Sequence, residues 1–440
     1  MQSEITRQVD ALMQRLYRYA AGRFVQPLLA AYAVADCWRN HLQPDYVDSN
    51  RLIVRMAKSI WHMLLPLGFA AALRLSFFIW FMIGLPLLLR QCLRLHVRMF
   101  TGELDRKIIL LRTGVSNEPN IAKWLSDKHG GEAVSMLSVN EQAAADITAV
   151  RHLPGLIVLY TGLTRDLMRL ILEMQRNGEI DEVQCRELPP VWLVLLGRTA
   201  PSMCAVRRWA ELYLQSQSQL THLYFTMNSI LEASFMAALP EVQHAYVEHG
   251  FPRRDIPPLA CKQYVYGKQY ADYLRSFDAA IEIEEIGIDY FPKAEIGDKT
   301  RTIVVASLQD WPQWGIQRVA ERFNKALATA KANDWCIIFR GRNYDEDAFA
   351  QGLRCDWDEI SNPKQESFAQ CLQRVKPTMV WTTWSTAVLD AEAMGVLGVC
   401  FIDDALSDYF IPDYAGSIVD VISDGVLHNK LLPQLTGEMQ

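Results

Sequence analysis

Three short segments bring together side chains that can do chemistry. The first, Glu248-His249-Gly250-Phe251-Pro252-Arg253-Arg254-Asp255, follows the β-like run 244–248. At a strand end the His249 imidazole can donate to a phosphate or a developing oxyanion, and Gly250 lets a ligand approach the backbone. Arg253 and Arg254 can hold an acidic acceptor or a donor phosphate. The second segment is Arg340-Gly341-Arg342-Asn343, after the apolar run 335–339. Two guanidinium groups around a glycine suit a phosphate or a carboxylate, because each binds bidentately. The third, Thr383-Trp384-Ser385-Thr386, enters a helix on which Asp390 lies one turn further in. Hydroxyl side chains at a helix start cap it, and the N–H groups left over form an anion site. A nucleotide phosphate fits there, with Asp390 accepting from ribose hydroxyls. As ordinary structure, the same residues are a surface histidine, solvated loop charges and an N-cap.

Alternating β and α patterns must position these segments. The first series has strand-like runs at 107–111, 133–137, 156–160, 192–196, 222–226 and 244–248, with a helix over 120–129. The second starts at Thr302 and runs strand, helix 315–332, strand, helix 365–375, strand, helix 386–395, strand. A β–α period of about 35 residues is that of repeated βαβ units. The Gly- and Pro-marked passage 285–292 reads as a hinge. The fold expected is α/β, with Rossmann-like domains over 105–290 and 291–440 behind a helical region, 1–104. The carboxyl ends of both sheets are then expected to face a shared cleft.

The helical region carries its own signal. Residues 1–40 read as an amphipathic helix, and between Ser59 and Leu89 the only charge is Arg74. Arg74 divides that stretch into halves of 14 and 15 residues, each short of the ~20 that a spanning helix needs. With Arg51, Arg55 and Lys58 before it and Arg90, Arg94 and Arg98 after it, both ends belong on one side of a membrane. A membrane-associating hairpin over 59–89, re-entrant or interfacial, is expected.

Composition excludes several classes. The 440 residues are 50% hydrophobic and 21% charged, which is not a disordered chain. A net charge of -6 gives no field for nucleic acid, so no nucleic-acid partner is expected. Nine cysteines without a C-x-x-C pair offer no zinc site and fit a reducing compartment. Asp345-Glu346-Asp347 reads as a charged helix start rather than a metal-holding motif, and no cofactor or metal is expected.

Taken together, these motifs resemble bacterial GT-B glycosyltransferases of surface-polysaccharide synthesis, a group with capsule sialyl- and Kdo-transferases and teichoic-acid glycerophosphotransferases. The resemblance runs over roughly 105–430 and is carried by 244–402: the His249-Gly250 strand end, YVYG at 264–267, Gly287–Tyr290, TIVVASL at 302–308, CIIFRGRN at 336–343 and TWSTAVLDAEAMG at 383–395. The last is similar to the group's Ser-Thr-Ala-x-x-Glu-Ala-x-x-x-Gly nucleotide motif. By that resemblance His249 and Gly250 meet the donor phosphate or the reacting groups, and Ser385 and Thr386 are phosphate ligands. Asp390 stands where the group has Glu, and Arg340-Gly341 replaces its His-Pro, leaving the anion contact to Arg340 and Arg342. The acceptor's base is expected from the first domain, Glu118 before Glu248, with Asp255 third. The implied activity is metal-independent transfer from a nucleotide sugar, CMP-activated by preference, to a glycan or lipid-linked acceptor at the cytoplasmic face of the inner membrane. The alternatives are a CDP-polyol phosphotransferase of the same fold and an inactive scaffold of a polysaccharide-assembly complex.

Overall fold

A computed structural model describes residues 51–94, 100–101, 106–112, 117–139, 153–179, 200–214, 219–226, 230–250, 260–278, 280–291, 296–306, 316–341, 352–383, 385–401 and 420–437, with Gln14, Leu193, Leu196, Gly197, Pro258, Lys293 and Ala294. The expected helix over 1–40 lies outside them except for Gln14, as do Arg253, Arg254, Asp255, Arg342 and 345–347. The chain divides into two compact units, each with one sheet. Most of the first is the described chain up to Glu248; it also takes 260–264 and 272–284, and the second takes His249, Gly250, 265–271 and everything from Glu285.

The first unit begins with α1 (Arg51–Leu64) and α2 (Phe69–Arg94). Its strands are β1 (Phe100–Thr101), β2 (Ile108–Arg112), β3 (Val134–Val139), β4 (His222–Phe225), β5 (Gln243–Val247), β6 (Lys262–Val265) and β7 (Glu282–Glu285). Helices α3 (Glu118–Lys128), α4 (Leu153–Arg176), α5 (Ala200–Tyr213), α6 (Ile230–Ala238) and α7 (Lys268–Arg275) alternate with them. The sheet order is β1-β3-β2-β4-β5-β6-β7. Strands β3-β2-β4-β5-β6 pair in parallel, and β1 adds antiparallel at the edge. Ile108, Ile109, Leu110 and Leu111 are buried on both faces, as the continuous apolar run of a central parallel strand requires. One sheet face, with Ile109, Leu111, Leu223 and Phe225, packs in a single core with Trp80 of α2, Tyr160 of α4 and Trp209 of α5.

Two expectations fail here, for local reasons. Residues 156–160 form no strand but the second turn of α4, whose buried Leu156, Tyr160, Leu163, Leu167, Leu170, Ile171 and Met174 recur at helical spacing. Five apolar residues in a row cannot be told from a buried helix by periodicity alone, and Pro154-Gly155 just before them marks a helix start. Of the expected strand 192–196, the described Leu193 and Leu196 are helical.

Nor does the apolar segment break at Arg74. The break is the turn Leu65–Leu67, where Pro66 and then Gly68 at φ +91° stop α1. Helix α2 then runs on through Arg74 and Pro86. Arg74 is exposed, so its charge costs the helix nothing. By length and composition Phe69–Arg90 is apolar enough to cross a membrane, yet one face of it is packed into the first unit's core.

The second unit is a six-stranded sheet, ordered β10-β9-β8-β11-β12-β13, with every neighbouring pair parallel. The strands are β8 (Thr300–Ala306), β9 (Cys336–Arg340), β10 (Glu359–Ile360), β11 (Pro377–Thr382), β12 (Leu397–Phe401) and β13 (Asp420–Ile422). Helices α8 (Ile316–Ala332), α9 (Phe368–Val375) and α10 (Ala387–Ala393) connect them, followed by a helical segment over 424–436. A capping box starts α9, with Gln370 N–H donating to Ser367 Oγ and Ser367 N–H donating to the Gln370 side chain. α10 lies so close to β12 that a Cβ on Gly398 would sit 2.8 Å from Val388 Cβ, so glycine sets the height at which α10 and its leading loop stand above the sheet.

Candidate functional site

Both sheets reverse strand order beside their first parallel strand. In the first unit β3 lies on one side of β2 and β4 on the other; in the second, β9 and β10 lie on one side of β8 and β11 on the other. Open α/β sheets bind ligands outside the carboxyl ends of strands at such a reversal. Every described residue singled out from the sequence stands at or after a strand's carboxyl end. Glu118 follows β2, Glu248, His249 and Gly250 follow β5, Arg340 closes β9, and Ser385, Thr386 and Asp390 follow β11.

At the first unit's edge Asn117, Glu118, Thr226 and Glu248 are all buried. Glu118 is wholly buried in the first turn of α3, where its Oε2 accepts from Arg112 Nε at 3.2 Å. An acidic group in a first turn also suits the helix dipole. Glu118 is therefore already engaged as the partner of the last residue of β2. Glu248 is 1% exposed, and its backbone N–H donates to Tyr264 O at 2.9 Å, continuing the β5–β6 ladder. A third carboxylate, Glu232, is 0% exposed on α6, directly after β4, and sequence reasoning missed it. The available signal was one carboxylate in a nine-residue helix that is otherwise apolar but for a serine. The three side chains follow neighbouring strands β2, β4 and β5. His249 and Gly250 are half-buried, and a Cβ on Gly250 would meet nothing within 4 Å, leaving open space for a ligand beside the backbone.

The second unit's edge is cationic and hydroxylic. Arg340 is 7% exposed; its Nη1 donates to Gly341 O at 3.2 Å and its Nη2 to the backbone carbonyl of Glu366 at 2.5 Å. The Glu366 carboxylate is taken by Arg374 and Ser361, and the Arg374 hydrogen bond is the main reason its pKa falls to about 2. Among the described residues Arg340 has no carboxylate in ion-pair distance, and its buried Nε has no hydrogen-bond partner. Burial lowers its pKa. Across β8, Thr382, Thr383 and Ser385 are buried. Ser385 Oγ accepts from Ala387 N–H at 3.3 Å, the expected local cap, while Thr386 makes no side-chain cap bond. Thr382 was not singled out from the sequence, although it closes the strand beside the expected cap.

Burial pushes the Asp390 carboxyl up to about 7, with no charged neighbour contributing. A carboxyl near neutrality in such a position is a functional candidate. It also makes folding pH-dependent. The folded pKa is raised, so from about pH 4 to about pH 7 the folded state keeps a proton that the unfolded chain releases, and stability falls as pH rises. The whole penalty is present above about pH 7 and amounts to at most about 4 kcal/mol. Asp390→Asn should abolish this slope, gaining stability over the unsubstituted chain at about pH 8 and none at about pH 4. Urea unfolding at both pH values checks it; equal slopes would show that the carboxyl is solvated.

Among the described residues no group of three His, Cys, Asp or Glu side chains is placed to hold a metal ion.

No protein family matches the chain, and no curated protein matches it. Among solved structures, a GtfA/B complex is similar at 12% identity with a TM-score of 0.32. The match covers 53% of this chain and 54% of that one, so this chain spans about half the length of the matched protein.

Proposed function

We propose that the protein is a glycosyltransferase that moves a sugar from a nucleotide-activated donor, CMP-linked by preference, to a glycan or lipid-linked acceptor at the cytoplasmic membrane face. The observation that carries this reading is the buried Arg340 guanidinium, with its partnerless Nε, across the reversal strand from Thr382, Thr383 and Ser385. A buried cation without an ion-pair partner beside buried hydroxyls fits a phosphate-bearing ligand. The sequence around 383–395 supports a nucleotide as the bearer of that phosphate.

In this reading Arg340, Ser385 and Thr386 hold the donor phosphate and take up charge as the nucleotide leaves. Asp390 takes the ribose hydroxyls, and His249 with Gly250 adds a donor group and room beside the backbone. Arg253, Arg254 and Arg342 are further cationic ligands. Glu248, next in the chain to His249, accepts the proton of the attacking acceptor hydroxyl, while Glu118 pairs with Arg112 at the end of β2.

Calorimetric titration with CMP, CDP, UDP and GDP tests it. CMP is expected to bind. Ser385→Ala should weaken it about 3- to 10-fold, one hydrogen bond's worth. Arg340→Gln should weaken it at least about 30-fold, the loss of a buried charged partner. Preference for CDP would favour the polyol-phosphate alternative. A folded protein that binds none of the four would sink the transferase reading and leave the scaffold.

A further inference from the structure

Helix α2 is apolar on two faces, and among the described residues only one of them is covered. Ala72, Leu73, Ser76, Phe77, Trp80 and Leu88 are buried. The opposite stripe, with Leu75, Phe78, Met82 and Leu89, recurs at helical spacing and is exposed, Phe78 by 64%. On the two helices that pack against α2, Met63 of α1 and Val158 of α4 are each 70% exposed. Among the described residues, ten of the eleven exposed large hydrophobics lie in α1, the Leu65–Leu67 turn, α2 and the start of α4; Ile360 is the other. Such concentration marks an interaction surface rather than scattered exposure.

The charge around the stripe identifies the occupant. Residues 49–102 contain seven Lys and Arg and no Asp or Glu, in a chain whose net charge is -6. Arg55, His62, Arg74 and Arg90 are exposed beside the apolar positions. A second copy of the chain laid on this face would set like charges against one another. An acidic lipid surface complements both features, taking the apolar side chains below its headgroups and the arginines among them.

We propose that this face docks in the plane of an acidic phospholipid monolayer without crossing the bilayer. The exposed stripe runs about 27 Å from Ala71 to Leu89, at 1.5 Å per residue. Crossing is excluded by its partner helix: α4 packs along α2 with Arg165 and Asp166 exposed, 58% and 47%, and both charges would enter hydrocarbon with it. The inference needs no transferase activity, so its failure leaves the nucleotide titration untouched.

Flotation of the full chain with vesicles of phosphatidylcholine, alone or mixed equally with phosphatidylglycerol, tests it. Binding should require the acidic lipid and weaken with salt. Phe78→Asp with Met82→Asp should lower the bound fraction at least about tenfold without shifting the urea midpoint, since both positions are exposed. Arg74→Gln and Arg90→Gln should each weaken binding about fivefold. Alkaline carbonate should release the bound protein. Undiminished binding of the double variant would overturn the proposal, as would retention after carbonate. A dimer that the double variant abolishes, without vesicle binding, would assign the face to a second copy.

Discussion

Glu248→Gln is expected to lower turnover of the donor selected by titration by about 10²- to 10⁴-fold, the span associated with removing a positioned general base. Nucleotide affinity should stay within about twofold, because the residue belongs to the first unit and not to the edge of the second where the phosphate is proposed to bind. Glu118→Gln should behave differently. It leaves Arg112 without its 3.2 Å partner, and the main effect is on folding. Arg112 is 42% exposed and keeps water as a substitute, so the loss is about 1–3 kcal/mol rather than that of a fully buried pair. Measuring both variants for CMP release from the donor and for urea unfolding separates the roles. If Glu118→Gln is inactive at full stability while Glu248→Gln turns over normally, the base is Glu118. Loss in neither would move attention to Glu232, the third wholly buried carboxylate at that edge.

A second large effect is expected at Gly84, where a methyl group would lie 1.9 Å from Tyr160 Oη. Tyr160 cannot yield cheaply. It is 0% exposed, its hydroxyl donates to Leu196 O at 2.9 Å, and its ring stacks on Phe81 at 4.8 Å. Gly84→Ala therefore adds overpacking, about 1–3 kcal/mol, to a threatened buried hydrogen bond worth about 1–3 kcal/mol. Tyr160→Phe alone should cost about 1–2 kcal/mol through the unpaired Leu196 carbonyl. The double variant should be more stable than the sum of the singles by at least about 1 kcal/mol, since the offending oxygen is gone. Relief stays partial, because the ring carbon Cζ would still be 2.7 Å away. Costs that add within about 0.5 kcal/mol would mean that α2 can shift along α4, and that the two helices are not locked at this point.

Much of the fold was legible because strand and helix alternate with little ambiguity over 107–137 and from Thr302 onward. Where the reading failed, short-range pattern lacked the deciding partner. The run 156–160 is helical because Leu163, Leu167, Leu170 and Met174 extend its buried stripe, which only a longer window reveals. Arg74 drew attention as the one charge in an apolar stretch, yet a charge breaks a helix only if it must be buried, whereas Pro66 and Gly68 act on the backbone itself. The candidate site was legible where a strand end met a chemically marked loop, as at Arg340 and Ser385. Glu232 escaped because no loop motif announces a lone carboxylate inside an apolar helix, and Arg112 because its importance comes entirely from the neighbour it holds.

The order in which the chain is made gives α2 one more consequence. Helix α5, which covers part of its packed face, is completed about 120 residues after α2 ends. At about 5–20 residues per second, the part of α2 that α5 covers waits roughly 6–24 s for it. A nascent chain meets lipid, or a chaperone, within that interval, long before the first unit can close. Synthesis close to a membrane would let the outer face find its place first and leave the inner face to be covered by helices arriving later from the ribosome.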